Sequence, residues 1–188
     1  MIRALAARPS AKAPVSPKPL TGAIARRMRA VKQKNTAPEL ELRTALHRLG
    51  LRYRVNASTL PHSRFRADIV FRRGKVAIFV NGCFWHGCAT HRTIPRNNFS
   101  WWAQKLENTR IRDRRIDSDL KLAGWFPIRV WEHDDFYRAA HAIRAVVIHR
   151  RFHGEWLAGS ESQPTAPTLE DVASRLEKIN AAQNSSQL

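Results

Sequence analysis

The sequence predicts an α/β sandwich in which helices flank one mixed sheet. Four segments have the apolar or alternating pattern of strands: residues 51–55, 65–71, 76–80 and 125–131. Helical patterns precede the first segment, separate the third from the fourth, and follow the fourth. This order of elements is typical of a sheet that is covered by helices. The 188 residues are 43% hydrophobic, which suffices for the core of one domain.

The predicted helices have recognisable ends. Thr36 is a favourable N-cap with Glu39 three residues later, and Gly50 ends this first helix. Ser100 is predicted to cap a long second helix that ends at Gly124. Its inward-facing positions are Trp102, Leu106, Thr109, Asp113, Ile116, Leu120 and Ala123. A third helix is predicted to begin after residues 134–135 and to continue to about residue 151.

The charge indicates a polyanionic partner. The sequence has 33 basic and 15 acidic residues, a net charge of +18, and nine basic residues but no acidic residue among the first 34. No apolar run approaches the roughly 20 residues of a membrane span. Nucleic acid is therefore the leading partner class, and an anionic membrane surface is a distant second.

Composition also divides the chain. Residues 1–21 are basic and rich in proline, and we expect a disordered arm. Residues 22–157 hold all the predicted strands and long helices, and form the expected domain. Residues 158–188 read as a linker followed by a short amphipathic helix, which is acidic overall and is not expected to bind a polyanion.

Both cysteines lie in one segment that follows the strand 76–80. Cys83, Cys88 and His91 have a spacing that suits three ligands of a tetrahedral zinc ion, and His133 is the best-placed fourth ligand. Alternatively, the cysteines are small buried hydrophobic residues, or they form a disulfide. No secretory signal is evident, so an oxidising compartment is not implied, and we favour the metal.

Asp68 and His86 suggest a second kind of site. Asp68 lies in the middle of an apolar strand, where an ionised carboxylate is costly unless it is paired or binds a metal. The alternative is a solvent-facing position on an edge strand. A basic turn joins this strand to the next, so Asp68 is expected near Asn81 and His86. An acid beside an imidazole is consistent with a magnesium-and-base site, although His86 could equally be structural.

Several segments together resemble the very short patch repair (Vsr) DNA mismatch endonucleases, over roughly residues 22–150. They are Asn35-Thr36-Ala37-Pro38-Glu39, Ala67-Asp68-Ile69-Val70-Phe71, Val80-Asn81-Gly82-Cys83-Phe84-Trp85-His86-Gly87-Cys88, Arg112-Asp113-Arg114-Arg115 and Val130-Trp131-Glu132-His133. The resemblance implies a restriction-endonuclease-like three-layer sandwich with a structural zinc site. It also implies an enzyme that nicks one strand 5′ of the thymine in a T:G mismatch.

The resemblance assigns roles only to matching residues. It implies that Asp68 binds catalytic Mg2+, that His86 is a general base or orients water, and that Glu39 lies near the site. Phe84, Trp85 and Trp102 match aromatic residues that wedge into the duplex. The structural Zn2+ ligands are matched by Cys83, Cys88, His91 and His133, and we add Met28 and Arg29 as predicted DNA contacts.

The chain departs from the family pattern at three positions. Val80 stands where some members have threonine, although its backbone carbonyl could still bind Mg2+. Asn81 replaces a histidine found in some members, and Ala67 stands where a proline is usual.

The resemblance further implies a bacterial, cytoplasmic and nucleoid-associated protein. It is expected to act as a monomer on double-stranded DNA with a T:G mismatch, with mismatch-repair proteins as further partners. Two alternatives remain open at this point: a restriction-type nuclease of the same fold without mismatch specificity, and a zinc-stabilised DNA-binding module without catalysis.

Overall fold

A computed structural model of the chain describes residues 16–19, 21–61, 63–91, 93–152 and 174. Most of the predicted N-terminal arm lies outside the described residues. The predicted linker and C-terminal helix do so as well, except for residue 174.

In the part of the chain that the structure describes, four strands form one mixed sheet in the order of the sequence. They are β1 (Arg54–Ala57), β2 (Ala67–Phe71), β3 (Val76–Asn81) and β4 (Phe126–Trp131). The pairs β1–β2 and β2–β3 are antiparallel, whereas β3 and β4 are parallel. In the parallel pair Asn81 is the partner of Trp131, so the segments that follow β3 and β4 leave the sheet side by side.

Within residues 16–152, as far as the structure describes them, five helices accompany the sheet. They are α1 (Gly22–Ala30), α2 (Ala37–Arg48), α3 (Cys83–His86), α4 (Phe99–Leu122) and α5 (Phe136–Phe152). Among the described residues, no helix is long and apolar enough to cross a membrane.

The sheet is covered on both faces. One face carries β-branched and aromatic side chains that pack against leucines of α2 and small residues of α5, and this is the larger core: Leu42, Leu46, Ile69, Phe71, Val76, Ile78, Ile128, Val130, Ala139, Ala140, Ile143, Val146 and Val147. The other face packs Ala77, Phe79 and Val70 against Leu120 and Ile116 of α4. The predicted α/β sandwich with a mixed sheet is therefore confirmed.

Several element boundaries differ from the prediction. The first strand begins at Arg54 rather than residue 51, because the backbone N–H of Leu51 donates to the carbonyl of Leu46 at the end of α2 instead of to a neighbouring strand. α4 begins at Phe99 and follows Asn98, which has the left-handed φ of 55°, so Ser100 is not its N-cap. The helices α1 and α3 were not predicted, since α1 has three arginines and no buried face, and α3 is a single turn.

Leu46→Ala should destabilise the domain strongly, because Leu46 is fully buried between α2 and the sheet. Truncating a buried leucine leaves a cavity and typically costs about 2–5 kcal/mol. Leu40→Ala on the same helix is the matched control, since Leu40 is 49% exposed. Urea unfolding followed by circular dichroism should show a large shift of the midpoint only for Leu46→Ala. Equal shifts for both variants would contradict this packing of α2.

Candidate active site and metal cluster

An open cleft of about 950 Å³ lies beside the last residues of β3. The predicted catalytic residues Glu39, Asp68 and His86 all line it, and they come from α2, β2 and α3. Its remaining walls include the following residues: Met28, Val31, Lys32, Arg64, Arg66, Val80, Asn81, Trp85, Arg112, Asp113, Arg129 and Glu132. Acidic groups thus lie in a cleft that also carries many basic side chains.

Asp68 is half-buried on β2 and is tied to the neighbouring strand. Its Oδ2 accepts a hydrogen bond of 2.8 Å from the backbone N–H of Val80. Burial raises the pKa of Asp68 from 3.8 to about 6, and the nearby negative charge of Glu39 adds to this, whereas the Val80 hydrogen bond opposes it. A carboxylate that is costly to ionise beside a second carboxylate is a favourable place for a cation.

Glu39 is held by its own helix end. It is only 6% exposed, and it accepts hydrogen bonds from the backbone N–H of Asn35 at 3.0 Å, the hydroxyl of Thr36 at 3.0 Å and the guanidinium of Arg43 at 2.8 Å. The predicted capping box is therefore rearranged, because the Thr36 hydroxyl donates to Glu39 instead of accepting from the helix backbone. These contacts fix Glu39 near Asp68, a geometry suited to a supporting role.

His86 is oriented by a carboxylate from α4. Its Nδ1 lies 2.6 Å from Oδ2 of Asp113. Burial alone would raise the pKa of Asp113, but the hydrogen bond with His86 and the charges of Arg129 and Arg112 outweigh it, and the pKa lies below its usual value. Ionised Asp113 can only accept, so Nδ1 carries a proton, and in the neutral ring Nε2 is then the nitrogen with a lone pair. We refer to these two residues as the His86–Asp113 pair.

His86 is the last residue of the single turn α3, and the residue after it helps to position it. Gly87 follows with φ 63° and ψ 53°, a left-handed conformation that favours glycine. Its carbonyl oxygen accepts a hydrogen bond of 2.7 Å from Nη2 of Arg110 on α4. The turn that bears His86 is thus attached to α4 at two points, Asp113 and Arg110.

The four predicted zinc ligands converge on one point. Cys83, Cys88, His91 and His133 each offer a ligand atom within 4.8 Å of the other three. Cys83 Sγ lies 3.0 Å from His133 Nδ1, and Cys88 Sγ lies 3.8 Å from His91 Nδ1. Both cysteines are free thiols, so the alternative of a disulfide is not realised. Two sulfurs and two imidazoles at these separations fit a tetrahedral Zn2+, whose bonds are about 2.0–2.3 Å long.

Burial raises the pKa of the Cys83 thiol, and the neighbouring Cys88 and Glu132 raise it further. Burial also opposes ionisation of Cys88, but hydrogen bonds from the backbone of His91 and Thr90 outweigh it and lower that pKa. Cys88 therefore loses its proton more readily than an ordinary thiol, whereas Cys83 holds its proton more tightly, and both must be thiolates to bind a metal.

The predicted aromatic wedge forms a cluster next to the cleft. Phe84 packs edge-on against Trp85 at a centroid distance of 5.0 Å and against Trp102 at 5.2 Å. Trp85 is 37% exposed and lines the cleft, whereas Trp102 is only 6% exposed. The structure thus places Trp102 beneath the other two rings as a support, and its direct contact with a duplex stays a prediction.

Met28 and Arg29 lie on α1, a helix with no buried residue. Met28 is 44% exposed and lines the cleft, and Arg29 is exposed beside it. An apolar side chain among arginines, in a helix that packs little surface, is consistent with a segment that contacts a partner at the cleft.

Sequence reasoning missed Asp113 and Arg129 as members of the site. The sequence predicts Asp113 on the inward-facing side of the long helix. An acid among apolar positions indicates a buried partner or a site, and this signal could have identified Asp113. Arg129 is likewise a charged residue in an apolar element, the strand β4, and its Nη1 lies 3.5 Å from Oδ2 of Asp113.

Comparisons with known proteins agree on one family. A family model described as DNA mismatch endonuclease Vsr matches residues 23–92. The chain is 40% identical over 140 residues to the Type II nicking enzyme V.NaeI of Lentzea aerocolonigenes, which spans 73% of this chain and 84% of the relative. It is 38% identical over 107 residues to the Type II nicking enzyme V.XorIIP of Xanthomonas oryzae pv. oryzae, spanning 56% of this chain and 76% of the relative. The DNA mismatch endonuclease Vsr of Escherichia coli K12 is 36% identical over 107 residues, spanning 56% and 66%.

Zinc content should separate the two histidines of the α3 segment. His91→Ala removes one of the four converging ligand atoms, so purified protein should lose most of its zinc and unfold at a lower temperature. His86→Ala is the matched control, because His86 is bonded to Asp113 rather than to the cluster. Elemental analysis and thermal unfolding of both variants provide the measurement. A zinc-free but stable wild-type protein would rule out the structural metal.

Asp68→Asn should stabilise the protein at neutral pH in the presence of a chelator. Folding raises the pKa of Asp68 to about 6, so the folded protein binds this proton more tightly than the unfolded chain does. The ionised carboxylate therefore costs stability above about pH 6, and the cost fades as pH falls towards 3.8.

Thermal unfolding should accordingly show a higher Tm for Asp68→Asn above about pH 6, with a difference that shrinks on acidification. Glu41→Gln, at an exposed position of α2, should match the wild type throughout. An unchanged or lower Tm for Asp68→Asn above that pH would contradict the burial cost.

Proposed function

Because the chain belongs to the Vsr family of DNA endonucleases, we propose that it nicks one strand of double-stranded DNA 5′ of the thymine in a T:G mismatch. The observation that carries the proposal is the meeting of Asp68 and the His86–Asp113 pair in one cleft. The covered mixed sheet supports a restriction-endonuclease-like sandwich, in which such a cleft lies at the edge of the sheet.

Hydrolysis of a phosphodiester needs an activated water and a stabilised phosphate. Nε2 of His86 is the atom that can take the proton of the attacking water, since Nδ1 is engaged by Asp113. The water oxygen bonds to phosphorus as the bond from phosphorus to the leaving sugar oxygen breaks, and that oxygen takes a proton from solvent. The Asp113 carboxylate stabilises the imidazolium that His86 becomes on accepting the proton of the attacking water. Asp113 also keeps the ring oriented, so that water and phosphate meet Nε2 in one geometry.

The Asp68 region suits a hard divalent cation. Asp68 and the backbone carbonyl of Val80 would hold Mg2+, with Glu39 as a nearby supporting carboxylate; all three residues line the cleft. Oxygen ligands of this kind are the ones that Mg2+ prefers. When bound, the ion would neutralise charge on the scissile phosphate and polarise it. Asp68 must be ionised to hold the ion, so Mg2+ and the proton compete for this carboxylate, whose pKa burial raises to about 6 in the metal-free protein.

Basic side chains around the carboxylates support binding of the phosphate backbone. Lys32, Arg64, Arg66 and Arg112 line the cleft together with the catalytic groups. Contacts of such residues with phosphates provide affinity that does not depend on sequence and that weakens with salt. The net charge of +18 extends this attraction beyond the cleft.

The aromatic cluster supports mismatch recognition. A mismatched step is easier to unstack than a paired one, and apolar side chains inserted beside it exploit this difference. Trp85 is exposed at the cleft, with Phe84 beside it and Trp102 packed behind both. We propose that Phe84 and Trp85 enter the duplex, and that Met28 and Arg29 contact it from α1.

The Cys/His cluster has a structural role in this proposal. Cys83 begins α3 and Cys88 follows it closely, so Zn2+ bound to Cys83, Cys88, His91 and His133 would fix the turn that bears Phe84, Trp85 and His86. His133 ties this segment to the end of β4. The proposed zinc therefore preserves the geometry of recognition and catalysis without taking part in either.

The main alternative is a nicking enzyme of the same fold without mismatch specificity. It is favoured by the relatives V.NaeI and V.XorIIP, which are named Type II nicking enzymes rather than mismatch endonucleases. Membership of an endonuclease family argues against a DNA-binding module without catalysis. The domain bounds 22–157, the monomeric state, mismatch-repair partners and a cytoplasmic, nucleoid-associated location stay predictions.

A nicking assay should decide between the two targets. Duplexes with one T:G mismatch in varied flanking sequence and matched T:A duplexes are incubated with protein and Mg2+, and each strand is followed separately. We expect a single nick 5′ of the mismatched thymine and little cleavage of the paired control. Equal nicking of both duplexes would favour the alternative, and no nicking of either would overturn the proposal.

Variants assign the chemistry in the same assay. Asp68→Asn should abolish nicking while DNA binding persists, and His86→Ala should slow it by about 10²–10⁴-fold if His86 is the general base. Glu39→Gln should cost less, since the amide retains part of the hydrogen bonding. A fully active Asp68→Asn protein would rule out this site.

A further inference from the structure

We propose that Arg129 is a positioning residue that holds the His86–Asp113 pair in its reactive orientation, an inference that rests on the proposed function. Arg129 lies in the middle of β4, opposite Phe79 of β3, with its guanidinium 4.9 Å from the Phe79 ring. The strand is otherwise apolar at its buried positions. A cation here needs a specific reason, because desolvating a guanidinium is costly unless it is paired.

The guanidinium joins α4 to the end of β3. Its Nε and Nη2 donate to the two carboxylate oxygens of Asp117, at 3.0 and 2.9 Å. Nη2 also donates to the backbone carbonyl of Asp113 at 3.1 Å. Nη1 donates to Oδ1 of Asn81 at 3.3 Å and lies 3.5 Å from Oδ2 of Asp113. One side chain thereby contacts both the backbone and the carboxylate of Asp113.

These contacts bear directly on His86. The same oxygen, Asp113 Oδ2, accepts from His86 Nδ1 at 2.6 Å and faces Arg129 Nη1. Arg129 therefore limits rotation of the carboxylate, and its bond to the Asp113 carbonyl fixes the turn of α4 beneath it. Because the Asp113 carboxylate orients the His86 ring, Arg129 orients that ring indirectly, through Asp113. Arg129 also donates a hydrogen bond to Asn81, the residue of β3 that follows Val80, and so contacts the end of that strand as well.

A purely structural ion pair with Asp117 does not account for this arrangement. The fork of Nε and Nη2 already satisfies Asp117, which is 2% exposed and is not part of the cleft wall. The contacts made by Nη1 go instead to Asn81 and Asp113, and all three of Arg129, Asn81 and Asp113 line the cleft. Nη1, the guanidinium nitrogen that does not bond to Asp117, is thus directed at the site.

The test removes the positioning contacts without leaving a buried charge. The double variant Arg129→Met/Asp117→Leu replaces both members of the ion pair by apolar groups, which is often tolerated, whereas removing one member is not. Leu46→Ala is the control for lost stability, because it weakens the core without touching Arg129, Asp113 or His86. Should the double variant fail to fold, Arg129→Lys takes its place, since an ammonium keeps the charge but cannot reproduce the fork.

Single-turnover nicking at saturating DNA gives the first result. We expect the double variant to be slower by about 10–100-fold with an unchanged Kd for DNA, because only the orientation of the base is affected. Leu46→Ala should keep the wild-type rate at temperatures where it is folded. In a His86→Ala background the same double substitution should cause little further loss. A rate within about twofold of the wild type, or an equal loss in the His86→Ala background, would overturn the inference.

Imidazole NMR signals give a second result that does not depend on nicking. In isotope-labelled wild-type protein without DNA, neutral His86 should show one tautomer, with the proton on Nδ1. In the double variant the signals should shift towards a mixture of tautomers. A wild-type pattern in the variant would overturn the inference even if nicking were confirmed. If the wild-type protein nicked no DNA, the proposed function would fail, and these signals would still decide whether Arg129 positions His86.

Discussion

The parallel pairing of β3 with β4 is the constraint on which the site depends. Antiparallel neighbours leave a sheet at opposite edges, but these two strands end together, with Asn81 beside Trp131. The cysteine-containing segment after β3 and the His133 segment after β4 therefore begin side by side. The Cys/His cluster, the aromatic cluster and His86 all occupy this one edge. α4 connects the two strands, and it returns across the sheet carrying Asp113.

The carboxylates of the site are stabilised in different ways, and the differences match their proposed roles. Glu39 is satisfied by groups of its own helix and by Arg43, and Asp113 is satisfied by His86, Arg112 and Arg129. Asp68 accepts a hydrogen bond from the backbone N–H of Val80, and burial raises its pKa to about 6. The fold thus leaves the strongest electrostatic demand for a cation at Asp68 and meets the demands of the other two with protein groups.

Much of the site could be predicted because its signals are local. Cys83, Cys88 and His91 follow one strand at ligand spacing, and Asp68 is an acid in an apolar strand, so short windows of sequence suffice. The His86–Asp113 pair joins residues 27 positions apart, and Arg129 reaches from a strand to a helix. Such contacts depend on how α4 crosses the sheet, which no local pattern encodes. The single turn α3 was missed for a related reason: four residues are too few to show a helical period.

Because His86 lies on a turn shared with the Cys/His cluster, loss of that turn affects recognition and cleavage together. A nuclease that lost a separate regulatory part could keep cutting, and an unrestrained nick is itself a lesion. Here the groups proposed to inspect the duplex, Phe84 and Trp85, and the proposed base, His86, are consecutive residues of one turn. On the proposed function, a change that unfolds this turn removes the wedge residues and the base together. The expected product of such a change is an inactive protein rather than a nuclease that cuts without selection.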